Sequence, residues 1–253
     1  MLTILPVPIL EDNYVWLGHV DGRAFVVDPG EAAPVAARLA ELGLSLDAVL
    51  LTHHHRDHTG GVAELAARWH CPVFGPAGLA GVTRPLADGD WLQLGALGLA
   101  FDVLAVPGHT LDHLAYYGHG TLFCGDTLFA CGCGRLFEGT PAQMQASLAR
   151  LAALPGDTRV CCTHEYTLAN ERFAHAVEPG NAELAQRMAD DQARRARGEP
   201  TLPSSVGLER ATNPFLRWDA PAVLAAARAH GAETGEPVAV FAALRRWKDG
   251  FRG

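Results

Sequence analysis

The segment "LTHHHRDHTGG" from Leu51 to Gly61 constrains the fold of this chain more than any other stretch. Four histidines and one aspartate fall within it, directly after the apolar run "DAVLL". Such a run predicts a buried strand, and α/β folds place functional side chains in the loops after the carboxyl ends of their strands. The segment therefore predicts an α/β domain with a metal site at the end of a strand.

Short apolar runs and helical patterns alternate around this segment. We predict strands in the first ten residues and at 14–20, 24–28, 47–51, 72–75, 101–106, 114–118, 121–125 and 159–163. Helices are predicted in "EAAPVAARLAEL", in "GGVAELAARW" and in "PAQMQASLARLAAL". This order predicts an α/β domain over residues 1–166.

The pattern changes after about Tyr166, where alanine-rich, charged segments replace the strand patterns. The segments "NAELAQRMADDQARRARGE" and "PAVLAAARAHGAE" predict helices, and "GEPTLPSSVGLER" predicts a loop between them. We therefore expect a smaller helical domain over residues 167–253.

Composition narrows the functional classes. A net charge of −8 and a pI near 5.8 argue against a general nucleic-acid-binding surface. The first ten residues contain no Lys or Arg, and no apolar run is long enough to span a membrane. The six cysteines form no C-x-x-C pair, so we expect reduced thiols in or near a core, with a small site at Cys131 and Cys133 as the alternative. These features predict a cytoplasmic protein without a nucleic-acid or membrane partner, and we expect a monomer.

The alternation of side chains along extended backbone divides the histidine cluster. Side chains two residues apart point to the same side, so His53 and His55 can face one metal ion while His54 points away. As the chain turns into the next helix, Asp57 and His58 can face a second point. We expect His54 to support or pack rather than to bind a metal.

Three further residues of metal-binding type follow predicted strands. They are His109 in "VPGHT", Asp126 in "CGDT" and His164 in "CTHEY". Imidazole and carboxylate ligands suit zinc, iron or manganese. A structural zinc site is disfavoured, since such sites are closed and mostly rich in cysteine.

The motifs "THHHRDH", "PGHT", "GDT" and "THEY", in this order, resemble those of the metallo-β-lactamase superfamily of binuclear hydrolases. Within it, "NYVW", "GCGRLFEGT", "THEYTLAN", "VEPGN", "NPFLR" and "LRRWKD" resemble the glyoxalase II family, the hydroxyacylglutathione hydrolases. The resemblance covers essentially the whole chain. It implies a four-layer αββα sandwich with a C-terminal helical domain that binds glutathione.

The resemblance implies seven ligands for two divalent metal ions. By it, His53, His55 and His109 bind one ion, Asp57, His58 and His164 bind the other, and Asp126 bridges them. This division agrees with the one from strand alternation. We expect zinc, with iron or manganese as alternatives.

The implied reaction is hydrolysis of S-D-lactoylglutathione to D-lactate and glutathione, the second step of methylglyoxal detoxification. Two metal ions about 3.5–4 Å apart lower the pKa of a shared water toward 7. The hydroxide held at Asp57, His58 and Asp126 then attacks the thioester carbonyl. A thiolate with a pKa of about 8.5 leaves without strong acid catalysis. The chain contains no G-x-S-x-G nucleophile motif, consistent with direct attack by water.

The resemblance also implies five residues that contact glutathione. Arg135, Arg245 and Lys248 match positions that bind its two carboxylates, and Tyr166 and Phe137 match further contact positions. Some relatives carry lysine in place of Arg135 and tyrosine in place of Phe137. The phenylalanine removes a hydroxyl, so we expect glutathione to be held differently or less tightly.

Three other functions are compatible with parts of the pattern. A mono-iron glutathione persulfide dioxygenase shares H-x-H-x-D-H, but His164 and "LRRWKD" count against it. A nuclease of the same superfamily is disfavoured by the acidic net charge. A metal-binding protein without catalysis would bind metal and hydrolyse no thioester.

Overall fold

The computed structural model describes residues 1–252. Its internal contacts divide the chain into two compact units. The first unit comprises residues 1–105, 112–125 and 161–164, and the second comprises residues 106–111, 126–160 and the chain from Glu165 onward.

Strands dominate the first two-thirds of the chain and helices the last third. The strands are β1 (Thr3–Ile9), β2 (Asn13–Val20), β3 (Arg23–Val27), β4 (Ser45–Leu50), β5 (Val73–Pro76), β6 (Arg84–Leu86), β7 (Trp91–Leu94), β8 (Leu99–Ala105), β9 (Leu114–Gly118), β10 (Thr121–Gly125), β11 (Leu128–Phe129), β12 (Gly132–Cys133), β13 (Arg159–Cys162) and β14 (Ser204–Ser205). The helices are α1 (Ala32–Glu41), α2 (Arg56–Thr59), α3 (Val62–Trp69), α4 (Pro141–Ala152), α5 (Thr167–Val177), α6 (Ala182–Ala196), α7 (Val206–Thr212), α8 (Pro221–Ala229) and α9 (Pro237–Gly250).

Two sheets form the centre of the first unit. The first sheet has the order β1-β2-β3-β4-β5-β6, with antiparallel pairing among β1 to β3 and parallel pairing from β3 to β6. In the second sheet, β7, β8, β9 and β10 pair antiparallel in succession. The ring of Phe25 on β3 meets Phe101 on β8 and Phe123 on β10 edge-on, at 5.5 and 5.8 Å between ring centroids. The two sheets therefore pack face to face through an aromatic core.

Two helices cover the outer face of the first sheet. Val35 and Leu39 of α1 and Leu65 of α3 are fully buried in one apolar cluster with Leu46 and Val49 of β4. Their spacing gives each helix an apolar stripe, which is buried against the sheet. The first unit thus contains successive helix, sheet and sheet layers, and the predicted α/β class is confirmed.

The second unit consists mainly of helices α4 to α9. Thr140 caps the start of helix α4. Its side chain accepts a hydrogen bond from the Gln143 backbone N–H, and the Gln143 side chain accepts one from the Thr140 backbone N–H. The side chain of Phe173 on α5 anchors an aromatic cluster with Phe215 and Trp247, at 5.8 and 5.0 Å between ring centroids. These contacts hold helices of the C-terminal region together.

A buried ionic network lies among α5, α6 and α7. The Arg187 guanidinium lies 2.8 Å from Glu209, 3.4 Å from Asp191 and 3.8 Å from Glu171. Full ionisation would place three carboxylates around one buried cation, which is unfavourable. Burial, followed by a hydrogen bond with Asp191, raises the pKa of Glu171 to about 8. One proton is therefore retained in this network at neutral pH.

The strand and helix predictions are confirmed in most places, with two corrections. The segment "GEPTLPSSVGLER" was predicted as a loop, and this is wrong because it contains β14 and the first five residues of α7. Ser205 begins α7 by accepting a hydrogen bond from the Leu208 N–H at 3.2 Å, and Ser204 pairs with Val160 of β13. Asp57 and His58 were expected in the turn before the next helix, but they already lie on the short helix α2. Among residues 1–252, no helix combines the length and apolar character needed to cross a membrane.

Candidate metal centre

Five of the seven predicted ligands lie in the first unit. Among them, Asp57, His58 and His164 each offer one ligand atom, and these atoms lie within 4.8 Å of one another. The Nε2 atoms of His58 and His164 both lie 3.5 Å from Oδ2 of Asp57. Both histidines are buried and the aspartate is half-buried. Two imidazole nitrogens and a carboxylate oxygen at this spacing fit a divalent transition-metal ion.

The position of His164 follows from how β2 holds the end of β13. The indole Nε1 of Trp16 donates to the Cys162 carbonyl at 2.9 Å. The backbone N–H of Tyr14 donates to the Thr163 carbonyl at 2.7 Å. Two consecutive carbonyls before His164 are thereby fixed, so the histidine leaves the strand in a defined direction.

Two carboxylates orient the buried histidines of this group. Oδ2 of Asp28 lies 3.1 Å from Nδ1 of His58, and Oδ1 of Asp12 lies 2.7 Å from Nδ1 of His164. In both rings the Nε2 atom is therefore directed at Asp57. A carboxylate behind a metal-binding imidazole fixes its tautomer and increases its basicity.

Neither supporting carboxylate was predicted from the sequence, although the backbone conformation of one of them is unusual in the structure. Asp28 stands in "VVDPG" at the end of β3 and adopts φ 54°, a conformation that residues other than glycine seldom take. Such strain at the end of a strand points to a function. Asp12 lies in the turn before β2 and has no comparable signal.

His53 and His55 form a second pair in the first unit. Nδ1 of His53 lies 3.0 Å from the Thr52 hydroxyl, which donates to Asp28 at 2.7 Å. Because that hydroxyl has one proton, it accepts from Nδ1 of His53 and leaves a lone pair on Nε2. This Nε2 lies 3.0 Å from Nδ1 of His55. The ring of His113 stacks on His53 at 4.6 Å between ring centroids.

His54 faces a different environment from its two neighbours. His53 is buried and His55 half-buried, whereas His54 is exposed. The Nδ1 of His54 lies 3.0 Å from Oδ2 of Asp112. This alternation of burial follows the alternation expected for extended backbone.

The other two predicted ligands, His109 and Asp126, lie in the second unit and are both buried. Nε2 of His109 lies 3.4 Å from Oδ2 of Asp126. Nδ1 of His109 lies 2.9 Å from the Arg135 carbonyl, which can only accept, so Nδ1 donates and Nε2 holds the lone pair. A Cβ on Gly134 would lie 2.0 Å from the Asp126 carbonyl oxygen. Position 134, between β12 and Arg135, therefore requires glycine.

The loop after β12 presents two of the predicted substrate contacts. The Arg135 side chain is 69% exposed. Phe137 is 63% exposed, and its ring meets the His109 ring at 5.2 Å between centroids. The Phe137 N–H donates to the His109 carbonyl at 3.2 Å. Tyr166, before α5, lies edge-on against Phe129 at 5.4 Å between centroids.

The last two predicted contacts lie on α9. Arg245 is 5% exposed, and its Nη1 and Nη2 donate to the Cys133 carbonyl at 2.9 Å and to Asp249 at 3.0 Å. Lys248 donates to the Ala169 carbonyl at 3.2 Å. Burial, followed by the nearby Arg245 charge, lowers the pKa of Lys248 to about 8. The guanidinium of Arg245 is thus engaged by the protein itself.

Cys131 and Cys133 do not form a reactive pair. Both are buried, and burial raises the pKa of each thiol. A buried thiol with a raised pKa is a poor nucleophile at neutral pH.

Comparisons with known proteins identify related families and structures. Residues 11–164 match the model of the metallo-beta-lactamase superfamily, and residues 165–251 match the model of the hydroxyacylglutathione hydrolase C-terminus. A hydroxyacylglutathione hydrolase of Alkalilimnicola ehrlichii is 58% identical, over 98% of this chain and 99% of the relative. Among solved structures, the BLEG-1 B3 metallo-beta-lactamase has a TM-score of 0.64 at 23% identity, over 86% of this chain and all of that one. TTHA1623 in a di-iron-bound form has a TM-score of 0.61 at 30% identity, over 84% of this chain and 100% of that one.

The two matched models meet between residues 164 and 165 and together span nearly the whole chain. The metallo-β-lactamase fold with a C-terminal helical region, expected from the motifs, is confirmed. The chain belongs to the glyoxalase II, or hydroxyacylglutathione hydrolase, family of the metallo-β-lactamase superfamily.

Proposed function

We propose that this chain hydrolyses S-D-lactoylglutathione and related S-2-hydroxyacylglutathiones to the free 2-hydroxy acid and glutathione, as the second step of methylglyoxal detoxification. The observation that carries the proposal is the group formed by Asp57, His58 and His164, whose two histidines are each backed by a carboxylate. This group stands in a chain that matches hydroxyacylglutathione hydrolases over its full length.

The metal centre is a binuclear site for divalent ions. We assign seven ligands to it: His53, His55 and His109 for one ion, Asp57, His58 and His164 for the other, and Asp126 for both. The surroundings of His53, His58, His109 and His164 support this assignment, since each ring has an oxygen atom within 3.1 Å of its Nδ1. Zinc is the proposed metal, with iron and manganese as alternatives.

The bound ions supply a water of lowered pKa and polarise the thioester carbonyl. The protein contributes the fixed orientation of the ligands that hold them. Asp12 and Asp28 keep the Nε2 atoms of His164 and His58 directed at Asp57. No protein nucleophile is required, and the leaving thiolate, with a pKa of about 8.5, departs without a strong acid.

Glutathione carries two carboxylates, which require local positive charge in an otherwise acidic protein. We propose that Arg135 and Lys248 supply it, with Arg245 holding the loop and helix that carry them. Phe137 and Tyr166 offer exposed aromatic surface. We also propose that the catalytic domain spans residues 1–166 and the substrate-binding domain residues 167–253, which the boundary between the two matched models supports.

The proposal extends to the location, the oligomeric state and the partners of the enzyme. We propose a cytoplasmic monomer whose partner is the small thioester, without nucleic-acid or membrane partners. The net charge of −8 supports the exclusion of nucleic acid.

A steady-state assay with metal quantification tests the proposal. The purified chain should contain about two zinc, iron or manganese ions and hydrolyse S-D-lactoylglutathione faster than acetyl-coenzyme A. One iron per chain with consumption of oxygen would replace the hydrolase by a dioxygenase. If the chain binds metal but cleaves no thioester, it is a metal-binding protein without catalytic activity.

A further inference from the structure

One acidic residue, Asp249, lies among three cations of the second unit, which are Arg135, Arg245 and Lys248. Asp249 follows Lys248 on α9, and its Oδ1 lies 3.0 Å from Nη2 of Arg245 and 4.0 Å from Nε of Arg135. The three cations near it are those proposed to serve glutathione binding. A carboxylate beside cations that bind carboxylate groups weakens that binding, so its presence needs a separate reason.

The two arginines around Asp249 differ in what they can offer a ligand. Arg245 is 5% exposed and uses Nη1 and Nη2 on Cys133 and Asp249. Arg135 and Asp249 have 69% and 48% of their side-chain surfaces exposed. The accessible part of the cluster is therefore a cation beside an anion.

The contact between Arg135 and Asp249 is weak enough to be exchanged. Exposed ion pairs at this distance contribute little to stability. Both contacts of Asp249 use Oδ1, and within residues 1–252 nothing donates to its Oδ2. Asp249 therefore has an acceptor atom ready for a further donor.

Glutathione presents a matching pair of charges at one end. Its γ-glutamyl α-carbon carries a carboxylate and an ammonium group, so the two opposite charges lie side by side. A guanidinium binds a carboxylate in bidentate fashion, and a carboxylate accepts charge-assisted hydrogen bonds from an ammonium group. An Arg–Asp pair with both members exposed is complementary to such a zwitterion.

We propose that Asp249 recognises the α-ammonium group of the γ-glutamyl end of the substrate, while Arg135 binds the carboxylate on the same carbon. The inference rests on the proposed function, because it assumes a glutathione thioester. It makes Asp249 a specificity-determining residue. The enzyme selects thioesters with a free α-amino group over those that carry only the two carboxylates.

A purely structural role is the competing explanation. The i,i+4 contact with Arg245 positions that guanidinium, and loss of the contact would disturb every substrate equally. Recognition of the ammonium group predicts instead an effect that depends on whether the substrate has one.

The test compares S-D-lactoylglutathione with its deamino analogue, in which hydrogen replaces the α-ammonium group. The wild type should show a kcat/KM about tenfold lower for the analogue, mostly through KM. In Asp249→Asn, KM for S-D-lactoylglutathione should rise and the ratio between the two substrates should fall toward one. Glu236→Gln removes an equal charge from the exposed start of α9 and should keep the wild-type ratio.

Each other outcome overturns a separate statement. Equal kcat/KM values of the wild type for both thioesters would refute recognition of the ammonium group while leaving the hydrolase intact, even if the variant fails to fold. An unchanged ratio in Asp249→Asn, with KM raised for both substrates, would reduce Asp249 to positioning Arg245. Absence of hydrolysis of either thioester by the wild type would remove the proposed function, and the inference with it.

Discussion

Oδ2 of Asp28 lies 3.1 Å from Nδ1 of His58, and the same oxygen accepts the Thr52 hydroxyl proton at 2.7 Å. One buried carboxylate thus reaches the rings of two histidines, His58 directly and His53 through Thr52. Because these rings belong to different proposed ions, Asp28 couples the orientation of both ligand sets.

Asp28→Asn should weaken metal binding without removing any ligand. Asp28 accepts at both of its oxygens, from the Thr52 N–H at Oδ1 and from the Thr52 hydroxyl at Oδ2, whereas an amide accepts at only one of the two positions. We expect metal affinity to fall about 10–100-fold and stability by about 1–3 kcal/mol. Titration against a competing chelator and denaturant unfolding measure the two effects.

Asp47→Asn is the matched control for that change. Asp47 lies in the same unit and pairs with Arg23 near the surface, at 2.5 Å. This variant should keep wild-type metal affinity, since exposed pairs contribute little. Equal losses of affinity in both variants would show that Asp28 acts through general stability.

Asp57→Ala and His164→Ala should each remove about one metal ion and most of the hydrolytic activity. Each variant takes one donor from a group of three, and the reaction requires both ions. Metal content by elemental analysis and kcat/KM provide the measurement. His54→Ala, an exposed neighbour bonded to Asp112, should retain its full metal content. Near-normal turnover by either of the first two variants would indicate a mononuclear mechanism.

The pKa of Lys248 predicts a pH dependence of substrate binding. The lysine, with its pKa lowered to about 8, is charged below that pH and loses its charge as the pH rises through it. We therefore expect KM for S-D-lactoylglutathione to rise above about pH 8. In Lys248→Arg the charge persists at every accessible pH, so KM should rise less. KM profiles between about pH 6.5 and 9 measure this, and identical profiles for the two enzymes would remove Lys248 from the substrate site.

The carboxyl network around Arg187 predicts a pH dependence of stability. The pKa of Glu171 rises from 4.5 to about 8 on folding, so the folded chain binds more protons than the unfolded one between these values. Its contribution to stability is therefore complete below about pH 4.5 and is lost as the pH rises to about 8. Glu171→Gln removes this dependence, so the Tm of the variant should rise relative to that of the wild type as the pH increases.

Asp190→Asn provides the control for the stability measurement. Asp190 lies on the exposed side of the same helix as Asp191 and accepts from Gln186 at 3.0 Å. The Tm of this variant should follow that of the wild type at each pH. A constant difference in Tm between Glu171→Gln and the wild type would contradict a raised pKa for Glu171.

The proposed ligands could be predicted because their signals are local. His53, His54 and His55 alternate about an extended backbone, and their burial in the structure alternates in the same way. His109, Asp126 and His164 each lie within three residues after a predicted strand. A pattern of a few residues suffices for predictions of this kind.

The supporting groups could not be predicted because their contacts join distant parts of the chain. Asp12 is 152 positions from His164 in sequence, and no local pattern pairs them. The predicted loop "GEPTLPSSVGLER" failed for a related reason. Its serines look like turn residues, but Ser205 serves as a helix cap and Ser204 as the partner of a strand.

The segment from Cys133 to Phe137 is held at two points by other parts of the second unit. Arg245 of α9 binds the Cys133 carbonyl, and two residues later the Arg135 carbonyl receives the Nδ1 proton of His109. A chimaera that exchanged the C-terminal segment for one from a distant relative would therefore need an arginine at position 245. Without it, the swap would release the loop that sets the proton on a histidine far upstream in the chain.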